Sequence, residues 1–356
     1  MKILYVTPRY YPHIGGVEYV VKSVAERLVK LGHEVYVITG EPNVNTCKEE
    51  NINGVHIIRW PTWAPNEAYH VPKKAYKLKK ILESLIKRSD IIHIHSVHAV
   101  LSYIAWGVLT KYKGRVKLVI TPHYHGRGHT FIRDISWRFW RRCTMKMFKT
   151  ADVIHVASVH EEFLIRKDYN VKSIVIEHGV DEDVLKYSWK PSDYILYAGR
   201  IERYKNIDRL ARIVCILRDE YNYNLKLRIV GNGSYRNILR TRLDNMMLEY
   251  VIEDFKPRRT YLEILSQARL LGNLSMREAF SIVVNEANAM GVPTIIAKPW
   301  GINFAHRPRV LVIEVNEDDR HIAKKICEFL ERAREEPKPR VCTWDLIVRK
   351  YLSKLY

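Results

Sequence analysis

The feature of this chain that most constrains its fold is a regular alternation of short apolar runs with helical runs. The first run, KILYVT (residues 2–7), precedes a segment at residues 15–33 in which valine and leucine recur at helical spacing. Apolar strands that lack a polar face and are joined by helices are typical of a parallel sheet covered by helices on both sides. The predicted strands span residues 2–7, 34–39, 55–60, 90–96, 117–123, 152–158, 173–181, 193–200, 225–233, 252–255, 268–275, 292–298 and 309–315.

Between residues 180 and 192 both periodicities stop, and the alternation then resumes. A chain of 356 residues is long for one domain, so we interpret the two series as two domains. We predict an α/β fold of two doubly wound, Rossmann-like parallel sheets that face each other across a cleft. Ligands of such sheets bind at the carboxyl ends of the strands, so the loops that follow strands hold the candidate site residues.

The charge of the chain limits the class of partner. The formal net charge is +20, which favours nucleic acid, an acidic membrane surface or a phosphorylated small molecule. The five cysteines include no CxxC pair, which argues against a zinc site or a disulfide framework and favours a reducing, cytoplasmic compartment. No apolar run approaches the roughly 18 residues of a membrane span. A single glutamine among many ionic residues indicates a thermophilic source.

Two groups in the first half follow predicted strands. Gly15 and Gly16 open the first helix, where backbone N–H groups would meet a phosphate or a sugar, although a plain turn is the simpler explanation. His123 ends the KLVITPH strand, and with His125 and His129 it forms H-x-H-x3-H. No acid or cysteine accompanies these histidines, so we expect no metal there.

In the second half, Arg200 directly follows a strand and Lys205 lies in the next turn. A guanidinium that binds bidentately and an ammonium beside it suit a pyrophosphate, although a chain this basic places cations at many positions. Gly231 lies in VGNGS, a glycine-rich turn too short for a dinucleotide fingerprint. Asp181 and Asp183 lie in the boundary segment, where solvated acids are the simpler explanation.

Two glutamates eight positions apart, Glu278 and Glu286, lie at the start of a predicted helix and inside it. Helix N-termini attract anions, so carboxylates there need a reason. An ionised carboxylate only accepts hydrogen bonds, and the hydroxyls of a ribose or a sugar are suitable donors. Phosphates would meanwhile meet the backbone N–H groups of Phe280, Ser281 and Ile282. A solvated helix face remains the alternative for Glu286 taken alone.

In this order the motifs resemble the glycosyltransferases of family 4 (group 1), which have the GT-B fold and transfer sugars from nucleotide-sugar donors with retention of configuration. The resemblance runs from YPHIGGVEYVVKSVAERLVKLGHEVYVIT through EHGVDEDVL, YAGRIERYKNID and VGNGS to EAFSIVVNEA, and ends at TWDLIVRKYLSKLY. It implies that residues 1–180, joined by a helix at residues 343–356, form the acceptor-side domain. Residues 181–342 would form the domain that binds the nucleotide sugar.

The resemblance also implies a role for each candidate. Arg200 and Lys205 would bind the donor diphosphate. Glu286 would hold the ribose, and Glu278 the hydroxyls of the donor sugar. The reaction centre would be lined from the first domain by Gly15, Gly16 and His123. The implied catalytic residues are His123, Arg200, Lys205 and Glu278, and the implied donor-binding residues also include Gly231, Phe280, Ser281 and Ile282.

Some positions depart from the family pattern. Ala279 stands where the family usually has glycine, and His178 stands where it commonly has asparagine. Residues 234–272 and 298–308 also match poorly, and these departures bear on which donor is used.

The mechanism implied by the family stabilises the departing diphosphate with cations, so we expect no metal ion and no cofactor. Double displacement would need a carboxylate nucleophile about 5 Å from its partner acid. The first half of the sequence offers no convincing candidate for that nucleophile. We therefore expect a front-face reaction, in which the departing phosphate takes the proton of the acceptor.

The resemblance implies that the acceptor is a hydroxyl of a glycan or of a lipid-linked or protein-linked molecule. Basic residues crowd the segment 73–88, and residues 131–149 interleave arginine and lysine with Trp137 and Trp140. Basic amphipathic helices with aromatic residues can lie on an anionic membrane, so we predict peripheral contact at its inner face through these segments. A stripe of residues packed in the core is the simpler explanation for 131–149.

Three other functions stay open. A basic chain with many aromatic residues can bind nucleic acid, but no RRM, helix-turn-helix or zinc-finger pattern is present, so we expect no nucleic-acid partner. Related folds also host epimerases and phosphorylases. An inactive relative kept for binding is the third alternative.

Overall fold

The computed structural model describes residues 1–65, 70–112, 114–126 and 131–356, without the side chains of residues 131–136 and 139. The chain divides into two compact units, Met1–His178 with Trp344–Tyr356, and Gly179–Thr343. The predicted boundaries after residues 180 and 342 lie two residues and one residue away from these.

The described residues of the first unit form a nine-stranded sheet. Its strands are β1 (Lys2–Thr7), β2 (Glu34–Glu41), β3 (Lys48–Ile52), β4 (Val55–Trp63), β5 (Val71–Pro72), β6 (Ile91–His95), β7 (Lys117–Thr121), β8 (Val153–Val156) and β9 (Ile174–Val175). The strand order is β3-β4-β2-β1-β6-β7-β8-β9, with β5 paired to β4. The pairs β3–β4 and β4–β5 are antiparallel, and the other pairs are parallel.

Helices connect these strands and bury the apolar side chains of the sheet. They are α1 (Gly16–Lys30), α2 (Ala75–Lys87), α3 (Val100–Leu109), α4 (Phe131–Thr150) and α5 (Val159–Tyr169). The helix predicted over residues 15–33 is therefore α1, and Gly32 follows its end in a left-handed conformation (φ 85°) that glycine adopts without strain. Leu82, Ile92 and Ile120 belong to the core that the helices and sheet share.

The second unit has a six-stranded sheet in the order β12-β11-β10-β13-β14-β15. Its strands are β10 (Tyr194–Ala198), β11 (Lys226–Val230), β12 (Tyr250–Glu253), β13 (Leu270–Asn273), β14 (Thr294–Ala297) and β15 (Val310–Ile313). All the pairs are parallel. The helices are α6 (Ile207–Tyr221), α7 (Arg236–Asp244), α8 (Arg258–Gln267), α9 (Ile282–Met290) and α10 (Asp319–Arg332). The predicted α/β class with two doubly wound parallel sheets is confirmed.

The last helix, α11 (Trp344–Lys354), returns to the first unit. Its Trp344 is fully buried, and its Asp345 accepts a hydrogen bond of 2.7 Å from Nε of Arg27 on α1. The helix thus lies where the motif resemblance predicted, although residue 343 itself belongs to the second unit.

The sequence pattern missed the antiparallel strands and overestimated one parallel strand. β3 and β5 are antiparallel strands paired to β4, and apolar runs do not predict the direction of a strand. The predicted strand at 173–181 is reduced to the two residues of β9, which among the described strands pair only with β8. An edge strand has one neighbour, so its hydrogen bonds hold it more weakly than those of an inner strand.

Histidines occupy one face of the central strands of the first unit. His93 on β6, Thr121 on β7 and His155 on β8 are buried, and hydrogen bonds of 2.7 and 2.8 Å link them through the threonine hydroxyl. Tyr356 places its hydroxyl 2.7 Å from Nδ1 of His93, and it also contacts the hydroxyl of Tyr5 on β1. The residues after α11 are thereby tied to the sheet by polar side chains.

The backbone carbonyl at one end of this series of hydrogen bonds determines which atom donates in each bond. Nε2 of His155 lies 2.9 Å from the carbonyl of Ile176, so that nitrogen donates and Nδ1 accepts from Thr121. Thr121 then accepts from Nε2 of His93, whose Nδ1 accepts from Tyr356. Burial lowers the pKa of His155 to about 4 and holds the pKa of His93 well below its usual range, so both rings are neutral near pH 7.

The two tryptophans of α4, Trp137 and Trp140, contact other residues of the first unit. Trp140 donates from Nε1 to the carbonyl of Val97 at 2.7 Å. Trp137 packs half-buried against the core, with its ring stacked on Tyr124. Both rings therefore have protein partners, and the predicted membrane contact through 131–149 stays a prediction. The apolar positions 132, 135 and 139 of that helix lie outside the described side chains.

We predict that acidification destabilises this protein partly through His155. Because its pKa is about 4 when folded and about 6.5 when unfolded, the unfolded chain binds more protons below pH 6.5 and the free energy of unfolding falls. Between pH 7 and pH 5 this single group should cost about 2 kcal/mol. Urea denaturation of the wild type and of His155→Gln, whose amide can keep both hydrogen bonds, measures it.

The informative quantity is the difference between the two proteins. Burial raises the pKa of Glu161 to about 7, so this carboxyl binds a proton on folding and acts in the opposite direction over the same range. That contribution is common to the wild type and the variant and cancels. Equal pH dependence of the two proteins would contradict a buried neutral His155.

Candidate active site

The second unit brings two loops together at the carboxyl edge of its sheet. β10 and β13 are neighbours, and the connections run outward from them in opposite directions, which makes this pair the switch point where doubly wound sheets bind ligands. Residues 199–206 follow β10, and residues 274–281 follow β13. Among the residues predicted to bind a donor, these two loops carry Arg200, Lys205, Glu278, Phe280 and Ser281.

Lys205 and Glu278 meet from these two loops. Nζ of Lys205 lies 2.5 Å from Oε1 of Glu278, and the two side chains are 11% and 16% exposed. Burial alone would lower the pKa of Lys205, but the Glu278 carboxylate more than offsets this and raises the pKa, so the ammonium stays charged. Arg200 is exposed, with Nη2 3.4 Å from the hydroxyl of Tyr204, whose ring lies beside Lys205. Two cations and one carboxylate thus share one edge.

The glycines of VGNGS brace the Arg200 loop. A Cβ on Gly231 would lie 1.8 Å from the carbonyl oxygen of Gly199, and a Cβ on Gly233 would lie 2.3 Å from that of Ile201. Backbone hydrogen bonds run from Gly199 to Val230 and from Ile201 to residue 232. Close backbone packing therefore accounts for Gly231, and a contact of Gly231 with a ligand stays a prediction.

The start of α9 is organised by polar and aromatic contacts. Ser281 caps the helix through a hydrogen bond from the N–H of Val284, and its hydroxyl also accepts from Asn273. Phe280 precedes the cap and packs on Phe304, and Ile282 is the first helical residue. The first turn of the helix thus lies beside the Glu278 loop.

The segment 298–308 packs against the loop that carries Glu278. Trp300 is fully buried and donates from Nε1 to the carbonyl of Ser275 at 2.6 Å. Phe304 lies against Trp300 and is also buried. Buried aromatic residues therefore pack this segment, which matches the family pattern poorly.

Glu286 does not lie on a solvated helix face. Its side chain is 2% exposed, and its two carboxylate oxygens accept hydrogen bonds from Nη1 of Arg258 at 2.5 Å and from the hydroxyl of Tyr261 at 2.7 Å. Burial raises the pKa of Glu286, although the guanidinium and the phenol oppose this. The carboxylate is thus held by residues of the first turn of α8.

Arg258 also pairs with the acids of the boundary segment. Its Nε and Nη2 each lie 3.1 Å from one oxygen of Asp183, and Asp181 lies 3.9 Å away. Asp183 is 39% exposed, which agrees with the interpretation as a solvated acid, but a bidentate ion pair with Arg258 also fixes its position. Sequence reasoning missed Arg258 and Tyr261 because KPRRTYLEIL carries no motif, and only its place after a strand pointed to the site.

In the first unit, the glycine loop accommodates a carboxylate of the chain itself. Gly15 precedes α1 in an extended conformation, and Gly16 is its first residue. A Cβ on Gly15 would lie 2.3 Å from Oε2 of Glu18, which turns back over the helix N-terminus. The carboxylate of Glu18 ends a flexible side chain that can move away, so this contact alone does not require glycine at position 15, and a ligand at this loop stays a prediction.

His123 follows β7 in a left-handed conformation (φ 51°), which is costly for a residue with a side chain. Its Nε2 lies 3.0 Å from Nδ1 of His95, which ends the neighbouring strand β6. Burial lowers the pKa of His123 to about 3, so the ring is neutral at ordinary pH. Glu161 on α5 accepts from the N–H of Tyr124 at 2.6 Å and so fixes the loop.

Two further predictions concern metals and membranes. Among the described residues, no set of three histidine, cysteine or acidic side chains is placed to hold a metal ion, and His129 lies outside them. Over the described part of the chain, none of the helices has the length and hydropathy to cross a membrane.

His178, which replaces the expected asparagine, is buried between His123 and Trp344.

The chain matches two family models in succession. Residues 14–184 match the model described as Glycosyltransferase Family 4, and residues 182–341 match the model described as Glycosyl transferases group 1. An uncharacterized glycosyltransferase of Methanocaldococcus jannaschii is 29% identical over 334 residues, which cover 85% of this chain and 82% of that relative.

Two solved structures share the fold. Sucrose-phosphate synthase from Thermosynechococcus elongatus superposes with a TM-score of 0.75 at 18% identity, over 100% of this chain and 98% of that one. The Anabaena protein HepE, solved in complex with UDP and glucose, gives a TM-score of 0.70 at 14% identity, over 100% of this chain and 99% of that one.

We predict that Gly231→Ala lowers the free energy of unfolding by at least about 2 kcal/mol, because the added Cβ collides with the Gly199 carbonyl at a backbone angle (φ 152°) that alanine avoids. Urea denaturation measures the loss. Gly107→Ala on α3 is the matched control, because its Cβ meets nothing within 4 Å and alanine favours a helix. Unchanged stability of Gly231→Ala would contradict the close packing of the two loops.

Proposed function

This chain belongs to the group 1 glycosyltransferases of family 4, as its motifs predicted, and we propose that it moves a sugar from a nucleoside-diphosphate sugar to an acceptor hydroxyl with retention of configuration. The observation that carries this proposal is the convergence of Lys205, Glu278 and the exposed Arg200 at the switch point of the second sheet.

These three residues supply the chemistry that a diphosphate leaving group needs. The ammonium of Lys205 and the guanidinium of Arg200 stabilise the negative charge that grows on the phosphate as the glycosidic bond breaks. Glu278 keeps Lys205 protonated in the donor-free protein and offers acceptor oxygens to the hydroxyls of the sugar. The proposal therefore uses no metal ion and no cofactor.

We propose a single front-face displacement for retention. The bond from the anomeric carbon to the phosphate oxygen breaks, the bond to the acceptor oxygen forms on the same face, and the phosphate takes the acceptor's proton. Glu278 is engaged by Lys205, and Glu286 by Arg258 and Tyr261, which makes both carboxylates poor nucleophiles for a covalent intermediate. This supports the one-step route over double displacement.

The first unit would supply the acceptor side. His123 is neutral and lies at the carboxyl edge of the sheet, so we propose that it bonds a hydroxyl of the sugar and does not act as a cation. On the donor side, the HepE complex with UDP and glucose supports UDP-hexoses as the first donors to test. A thermal-shift panel of nucleotide sugars would identify the donor, because a ligand stabilises the folded state by mass action.

A lipid-linked acceptor is supported by the surface of α2. Seven cations on and beside this helix are exposed, and Tyr76 among them is 62% exposed. The cations are Lys73, Lys74, Lys77, Lys79, Lys80, Lys87 and Arg88. We propose that this face contacts an anionic membrane from the cytoplasmic side, because each lysine near such a surface contributes about 1 kcal/mol.

We predict that Lys205→Met lowers kcat/KM by at least about 100-fold, or about 3 kcal/mol, because one of the cations that stabilise the leaving group is lost. The measurement is release of the nucleoside diphosphate from the donor found in the panel, with EDTA present throughout. Lys226→Met is the control, because Lys226 begins β11 at the opposite edge of the same sheet. Near-normal turnover of Lys205→Met would refute the diphosphate role, and loss of wild-type turnover in EDTA would refute the metal-free route.

We predict that replacing Lys77, Lys80 and Lys87 by glutamine weakens binding to anionic vesicles by about 100-fold, since three surface lysines are removed. Sedimentation with vesicles that contain phosphatidylserine measures binding. The control is the same replacement at the exposed Lys30, Lys186 and Lys324, which changes the net charge equally. An equal loss of vesicle binding in both variants would show that binding depends on the net charge of the protein and not on the surface of α2.

A further inference from the structure

The donor-free protein covers the carboxylate that is proposed to bind ribose. Glu286 is 2% exposed, whereas the side chain of Arg258 that pairs with it is 35% exposed. Arg258 therefore forms the outer part of the cluster and Glu286 the inner part. A hydroxyl from solution reaches this carboxylate only if a residue that covers it moves.

The guanidinium of Arg258 is hydrogen-bonded to two carboxylates, and a third, that of Asp181, lies 3.9 Å from Nη2. Nη1 donates to Glu286 at 2.5 Å, while Nε and Nη2 donate to the two oxygens of Asp183 at 3.1 Å each. Asp183 is 39% exposed and Glu286 is buried. Arg258 can thus release Glu286 and keep a complete bidentate pair with Asp183, which lies nearer to solvent.

We propose that Arg258 is a specificity-determining residue. Its guanidinium stays bonded to the Glu286 carboxylate until the ribose of the donor displaces the guanidinium. This rests on the proposed function, in which Glu286 binds the ribose. The two ribose hydroxyls take the place of Nη1 as donors to the carboxylate. The buried Glu286 consequently exchanges one set of donors for another and is never left without one.

The exchange makes the ribose hydroxyls a requirement for displacing Arg258. A buried carboxylate that loses its donors is destabilised, so a ligand without these hydroxyls leaves the Arg258–Glu286 pair closed. A ligand that carries them binds with an affinity reduced by the work of opening the pair. Arg258 therefore affects ribonucleotides and leaves their dideoxy analogues unaffected.

The experiment compares two ligands on four proteins by calorimetry. The ligands are the nucleoside diphosphate that stabilises the wild type most in a thermal-shift panel and its 2′,3′-dideoxy analogue. The proteins are the wild type, Arg258→Met, Asp183→Asn and Arg259→Met. Arg259 is the matched control, because it is the next residue of α8, is 88% exposed and pairs with Glu263 on the same helix.

The two active-site variants should act in opposite directions. Arg258→Met should tighten binding of the ribonucleotide by about tenfold, because no pair has to open. Asp183→Asn should weaken it by about tenfold, because the released guanidinium then loses its bidentate partner and keeps only the more distant carboxylate of Asp181. The dideoxy analogue should change less than about twofold in both, and Arg259→Met should change neither ligand.

Other outcomes overturn the proposal. If Arg258→Met weakens both ligands equally, Arg258 contacts the nucleotide directly and does not cover Glu286. If it changes neither ligand, the ribose reaches its site without displacing Arg258. If no nucleoside diphosphate binds the wild type, the proposed function itself fails, whereas binding with equal responses of the two ligands overturns the role of Arg258 alone.

Discussion

A carboxylate that has been removed from water has to be paired, and the second unit of this protein is arranged around that constraint. Glu286 is nearly inaccessible and holds the first turn of α8 through Arg258 and Tyr261, while Glu278 holds the loop after β10 through Lys205. Each ion pair joins segments that are distant in sequence at one edge of the sheet. The charges that would bind a ligand are therefore the same charges that position the loops before it arrives.

Sequence reasoning placed the residues that follow strands and missed those that meet them from elsewhere. Lys205 and Glu278 were predictable because each follows a parallel strand, although the adjacency of β10 and β13 depends on strand order, which no local pattern reveals. Arg258 was not predictable, because its role depends on a contact with Glu286 across 28 positions. The ends of helices and strands were predicted less well than their existence, as for β9, because pairing and packing decide them.

The histidines of the first unit show the same limit in another form. Adjacent histidines in a sequence suggest a metal site or acid–base chemistry, and His123 does lie at the sheet edge where a ligand is expected. His93 and His155, by contrast, are buried, stay neutral, and connect neighbouring strands through hydrogen bonds to Thr121. The sequence alone does not separate the two uses, because they depend on where each ring lies in the fold and on its hydrogen-bond partners, and not on residue type.

The return of α11 to the first unit has a consequence for biosynthesis. Residues 179–343 are translated before Tyr356 is made, yet the hydroxyl of Tyr356 completes the hydrogen bonds of His93 on a strand made long before. On the ribosome, His93 of β6 therefore lacks its hydrogen bond with Tyr356 while the whole second unit is synthesised. Synthesis of the first unit begins before that of the second unit and ends after it. A chain that terminates within α11 would therefore contain all of the second unit but lack the last residues of the first unit.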